Sequence, residues 1–149
     1  MQTLTPFPAA VALLAASAAF AQPTDGVGSV LAACDPVTAT GSTIRADMIE
    51  AGWLPQSPRD ATQELHDLIG SQMWSFAPDA SSQQQETLVE QYVPALTASL
   101  NDPEFGQLYT RTGEVSVILS QGENLTCLWV GPQSDRFDAL TNEVGGLPE

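Results

Sequence analysis

Apolar positions along this chain follow two regimes, with helix-like spacing up to about Phe105 and strand-like alternation after it. Residues 28–34 read as a short helix stopped by Asp35-Pro36. Ser42 is placed to cap a second helix over residues 43–51, with Ile44, Met48 and Ile49 on one face and Gly52 supplying a left-handed exit. Trp53 and Leu54 are expected to pack back over its end. Ser57-Pro58-Arg59-Asp60 is a helix-start signal, because Ser caps, Pro is tolerated at the first helical position and Asp faces the positive end of the dipole. The helix it opens is expected to reach about Phe76, burying Leu65, Leu68, Ile69, Met73, Trp74 and Phe76 as one stripe. Beyond the Pro78-Asp79 turn, a helix from Ser81 or Ser82 carries Leu88, Val89, Tyr92, Val93, Leu96 and Leu100 at helical spacing, and Pro94 predicts a kink or a break near Tyr92.

Residues 107–110, 114–120 and 125–130 read as three strands, separated by Arg111-Thr112-Gly113 and by Gln121-Gly122-Glu123-Asn124. Val115, Val117 and Leu119 share one face of the middle strand, and Leu125, Cys127 and Trp129 share one face of the last. Gly131-Pro132 ends that strand, and Ser134 is placed to cap a short C-terminal helix carrying Phe137 and Leu140. The expected fold is α+β: three or four helices covering one face of a small three-stranded antiparallel meander, with a short C-terminal helix.

The Ala-rich residues 9–21 end in Ala19-Phe20-Ala21 before Gln22, the pattern of a cleaved export signal, although residues 1–8 carry no Lys or Arg. The run falls short of the ~20 residues a bilayer requires, so no membrane span is expected. The expectation is therefore a signal peptide over residues 1–21 and a single α+β domain over 22–149, placed in the periplasm or outside the cell. In an oxidising compartment the two cysteines, Cys34 and Cys127, imply a disulfide. The competing reading is a lipid anchor at Cys34, since Leu31-Ala32-Ala33-Cys34 looks like the processing box of bacterial lipoproteins. In that family the box abuts the apolar run, whereas residues 22–29 intervene here, and lipidation would leave Cys127 unpaired.

Eighteen acidic residues face four basic ones, all Arg, for a formal net charge of −14. Phosphate backbones and anionic lipid surfaces are repelled by such a chain, which argues against nucleic acid as a partner. The acids are spread along the chain, as on a solvated surface, and the sharper alternative is an acidic face that docks a cationic protein. With His66 as the only histidine, a zinc site built on two imidazoles is excluded, and His66 lies on the polar side of its helix. No phosphate-cradling glycine loop, nucleophile elbow or calcium loop occurs, so no cofactor, metal or catalytic residue is assigned. Asp47/Glu50, Glu64/Asp67 and Glu86/Glu90 stand at helical neighbour spacing, which describes exposed faces better than an acid/base pair drawn from two elements. Trp53 and Trp129, with Tyr109, are the candidates for a surface contact.

An early cysteine ending a short helix, Gly52-Trp53 after a helix, and Thr126-Cys127-Leu128-Trp129 following Gly113-Glu114-Val115 resemble a pattern met in small exported alphaproteobacterial proteins of uncharacterised function. The resemblance implies export and pairing of the cysteines, and it brings no active site. The function expected is a non-enzymatic exported acidic module that binds an unidentified protein or the envelope. The alternatives are a small carboxylate-dependent hydrolase and an acidic inhibitor of a cationic secreted enzyme.

Overall fold

A computed structural model of the chain describes residues 25–35, 40–122, 124–133, 135 and 138–139. Its elements run α1 (Gly26–Ala33), α2 (Gly41–Glu50), β1 (Leu54–Gln56), α3 (Thr62–Phe76), α4 (Ser82–Ser99), β2 (Gly106–Arg111), β3 (Glu114–Gln121) and β4 (Asn124–Val130). The sheet is an antiparallel meander in the order β1-β2-β3-β4. It has four strands, not the three expected, and the last described element is β4 in place of a short C-terminal helix. Ser134, Phe137 and Leu140, on which that helix was expected, lie outside the described residues, as does the export signal.

The missed strand, β1, spans three residues, too few to establish an alternation, and contains Pro55. Proline is tolerated there because β1 is an edge strand, where one side needs no ladder hydrogen bond. Gln107 Nε2 donates to the Gln56 carbonyl at 3.1 Å and helps hold the edge in place.

Helices cover both faces of the sheet, not one. On one face Leu108, Val115 and Val117 pack under Leu65, Leu68, Ile69 and Met73 of α3 and Val89 and Val93 of α4. On the other, Tyr109 and Ile118 pack under Val30 and Ala33 of α1, Ile44 and Met48 of α2, and Trp53. The chain is thus a three-layer sandwich, α1–α2 over the meander over α3–α4. β3 follows from this: Val115, Ser116, Val117 and Ile118 are all buried because neither face of the strand meets water. Its one buried polar side chain, Ser116, donates to the Leu128 carbonyl at 2.9 Å.

Local chemistry sets the helix ends. Thr40 with Thr43 and Ser81 with Gln84 form capping boxes for α2 and α4, each satisfying two otherwise unpaired donors. Gly52, at φ 86°, turns the chain out of α2, and Gly113, at φ 74°, closes the two-residue β2–β3 hairpin. Ser57 does not cap α3; its carbonyl accepts from Asp60 N at 3.1 Å in a separate turn, and α3 begins later, behind Ala61. Pro94 does not divide α4. It lies on an exposed side of the helix, where the carbonyl it orphans one turn earlier is open to water.

The α1–α2 layer is the thinner one, and two long-range links hold it. Cys34, capping α1, is bonded to Cys127 of β4 across 93 positions of sequence, with Cα atoms 6.5 Å apart. That span suits a disulfide, and Cys34 therefore carries no lipid-linked thiol. The second link is polar: the fully buried Trp53 donates from Nε1 to Ser29 Oγ at 2.8 Å, and Ser29 Oγ donates to the Gly26 carbonyl at 2.7 Å.

Ser29→Ala leaves the buried indole N–H without its acceptor and is expected to cost about 1–3 kcal/mol, measured by urea unfolding followed through tryptophan fluorescence. Replacing both cysteines by Ser removes a loop constraint and is expected to cost about 2–5 kcal/mol, with hydrogen exchange rising first in α1. Uniform exchange across both helical layers would show that the bond does not act through α1.

Candidate functional site

The β2–β3 hairpin places Arg111 and Glu114 on either side of its tight turn, at the end of the sheet that approaches α1. Arg111 Nε lies 3.6 Å from Glu114 Oε2, and both side chains are mostly shielded, at 21% and 12% exposure. The Glu114 carboxylate also fills the space beside Gly26, so a Cβ at that position would displace it. A carboxylate at that position faces the positive end of the helix.

Outside this pair, a cleft of about 590 Å³ opens between the start of α3 and the hairpin, lined by Glu64, Asp67, Thr110, Arg111, Glu114 and Val130 among others. Here acids from two elements, Glu64 and Asp67 of α3 and Glu114 of β3, line one cavity. Arg111 offsets the charge of Glu114, and Asp67 is exposed and accepts from Gln63 Nε2 at 2.9 Å.

The remaining expected pairs, Asp47/Glu50 and Glu86/Glu90, lie on exposed helix faces, and so does His66. Among the described residues no group of three or more His, Cys, Asp or Glu could hold a metal ion, and no helix is long and apolar enough to cross a membrane.

Of the aromatic contact candidates, Trp53 is fully buried, Tyr109 is 2% exposed and Trp129 is half-buried. Trp53 and Tyr109 belong to the core under α1 and α2 and present no contact surface. Among the described residues the exposed aromatics are others: Trp74 at 46%, Phe76 at 56% and Tyr92 at 51%, all expected from the sequence in buried stripes. Trp74 follows Met73, a buried stripe position, by one residue and is rotated about 100° away from it. Tyr92 likewise precedes buried Val93. That offset was available in the sequence; the exposure of Phe76, on the stripe but in the last helical residue, was not.

Phe76 lines an open groove of about 750 Å³ at the α3–α4 turn, with Pro78, Asp79, Gln83, Thr87 and Leu88. No family model, curated protein or solved structure matches the chain. The class the fold defines is therefore a small α/β/α sandwich on an antiparallel meander, stapled by one disulfide, with an acidic cleft and an apolar groove.

Tyr109 lies in the sheet core, and burial pushes its hydroxyl above the ordinary 10.0, partly opposed by the positive charge of Arg45. The folded state thus holds this proton more tightly than the unfolded one, so stability is expected to fall as pH rises through and above about 10. Tyr92→Phe leaves Tyr109 as the sole tyrosine, and its tyrosinate absorbance should appear at higher pH in the folded than in the urea-unfolded protein.

Proposed function

We propose that this chain is an exported acidic binding module, periplasmic or extracellular, that works through contact with another protein and not by catalysis. The observation that carries this reading is the disulfide between two packed elements, Cys34 at the end of α1 and Cys127 in β4, in a chain whose first residues have the pattern of a cleaved signal. A cytosolic thiol pool would keep such a pair reduced and leave the thinner helical layer without its covalent tie.

The binding part of the reading rests on which side chains meet solvent. Trp74, Phe76 and Tyr92 sit on the outside of the α3–α4 layer, where large aromatic groups add nothing to the core. The hydrolase alternative has less support, because in the cleft Glu114 is paired with Arg111 and Asp67 is open to solvent.

Expression of the whole chain in a Gram-negative host, followed by fractionation and intact-mass measurement, tests the reading. The expected product is periplasmic, begins at Gln22 and gains two hydrogens on reduction. An uncleaved cytoplasmic product with free thiols would overturn it.

A further inference from the structure

We propose that the groove at the α3–α4 turn is a docking surface for a cationic protein segment, one that seats an apolar side chain in the groove and sets Lys or Arg against the surrounding carboxylates. The proposal deepens the binding-module reading and rests on it.

The groove has an apolar floor, Phe76, Pro78 and Leu88, and Phe76 is more than half exposed. Along α4, Gln84, Leu88 and Tyr92 succeed each other at four-residue spacing, so the exposed Tyr92 continues the same face one turn beyond Leu88. Aromatic faces held in this way attract Lys or Arg as well as apolar groups.

Charge decides what kind of partner suits this surface. Asp79 lines the groove, and Glu90 follows Thr87 one turn along the groove-facing side of α4. The turn and α4, residues 77–100, contain Asp79, Glu86 and Glu90 and no Lys or Arg. The flanking cations are remote: Arg59 precedes α3, whose far end lies about 20 Å from the groove, and Arg111 is paired with Glu114 in the hairpin. Hence the groove end of the α3–α4 hairpin carries negative charge that no Lys or Arg of the hairpin offsets. A second copy of this chain would bring the same charge to the same face, and anionic lipid or nucleic acid would be repelled. A basic segment is attracted, and once its charges are placed the groove supplies the apolar contact that gives it register.

The experiment uses a synthetic peptide alternating Arg and Leu, with a Gln-for-Arg peptide and an all-Arg peptide as comparisons, titrated into the disulfide-bonded protein. Binding of the Arg-Leu peptide is expected to weaken steeply from low salt to about 1 M, where the screening length falls to about 3 Å. Phe76→Ala should weaken it roughly tenfold, and Asp79→Asn with Glu90→Gln by a similar factor. Asp47→Asn with Glu50→Gln, an equal charge change on α2, should leave it unchanged. Amide shifts in a nuclear magnetic resonance titration should cluster on residues 76–92.

Equal weakening by both charge pairs, binding as tight for the all-Arg peptide, or no binding at all would overturn the proposal. So would sedimentation showing a dimer that Phe76→Ala dissolves, since the groove would then belong to a second copy. Shifts confined to the α1–α2 face would overturn the groove while leaving the binding-module reading intact, and a cytoplasmic product in the fractionation would do the reverse.

Discussion

A four-stranded sheet that is apolar on both faces must be covered twice, and the second cover is too thin to hold itself. Isolated helices of eight and ten residues are marginal in water, and α1 and α2 are of that length. They persist because the sheet offers Tyr109 and Ile118 for burial and because two links fix α1 in place, one through Cys127 and one through Trp53. The hydrogen bond from the indole to Ser29 and the disulfide act at neighbouring turns of the same helix, so α1 is located at both its start and its end. Remove this layer and one face of β3 opens to water.

The opposite layer has no such need. α3 and α4 are long, antiparallel and joined by a short turn, and they bury a continuous set of aliphatic side chains against Leu108, Val115 and Val117. With the core satisfied on its inner side, this layer is free to carry aromatic groups on its outer side. The division of labour is physical: the stapled layer completes the fold, and the self-supporting layer presents the exposed aromatic and acidic surface.

The cleft beside the hairpin illustrates why an inventory of carboxylates is a poor guide to chemistry. Glu114 comes within reach of α3 acids in space, but Arg111 and the start of α1 already use its charge. An ion pair shielded by its neighbours serves to fix the hairpin against α1 and needs no substrate to justify it.

Much of this was legible in the sequence. The cysteine pair follows from an export pattern ahead of just two cysteines. The helical stripes centred on Leu65 to Met73 and on Val89 to Val93, the β2–β3–β4 meander and its opposed faces, and the left-handed exit at Gly52 follow from spacing and local backbone preference, which act over a few residues. What tertiary structure alone decided is non-local. β1 is three residues long and exists only because β2 offers it an edge; the second face of the sheet is covered because the disulfide, the Trp53–Ser29 hydrogen bond and apolar burial bring α1 and α2 back across it; and Trp53 and Tyr109 are buried while Phe76 is exposed because burial depends on which element arrives on top. Periodicity shows which positions share a face. It carries no information about whether anything covers that face, since the covering surface comes from a distant part of the chain.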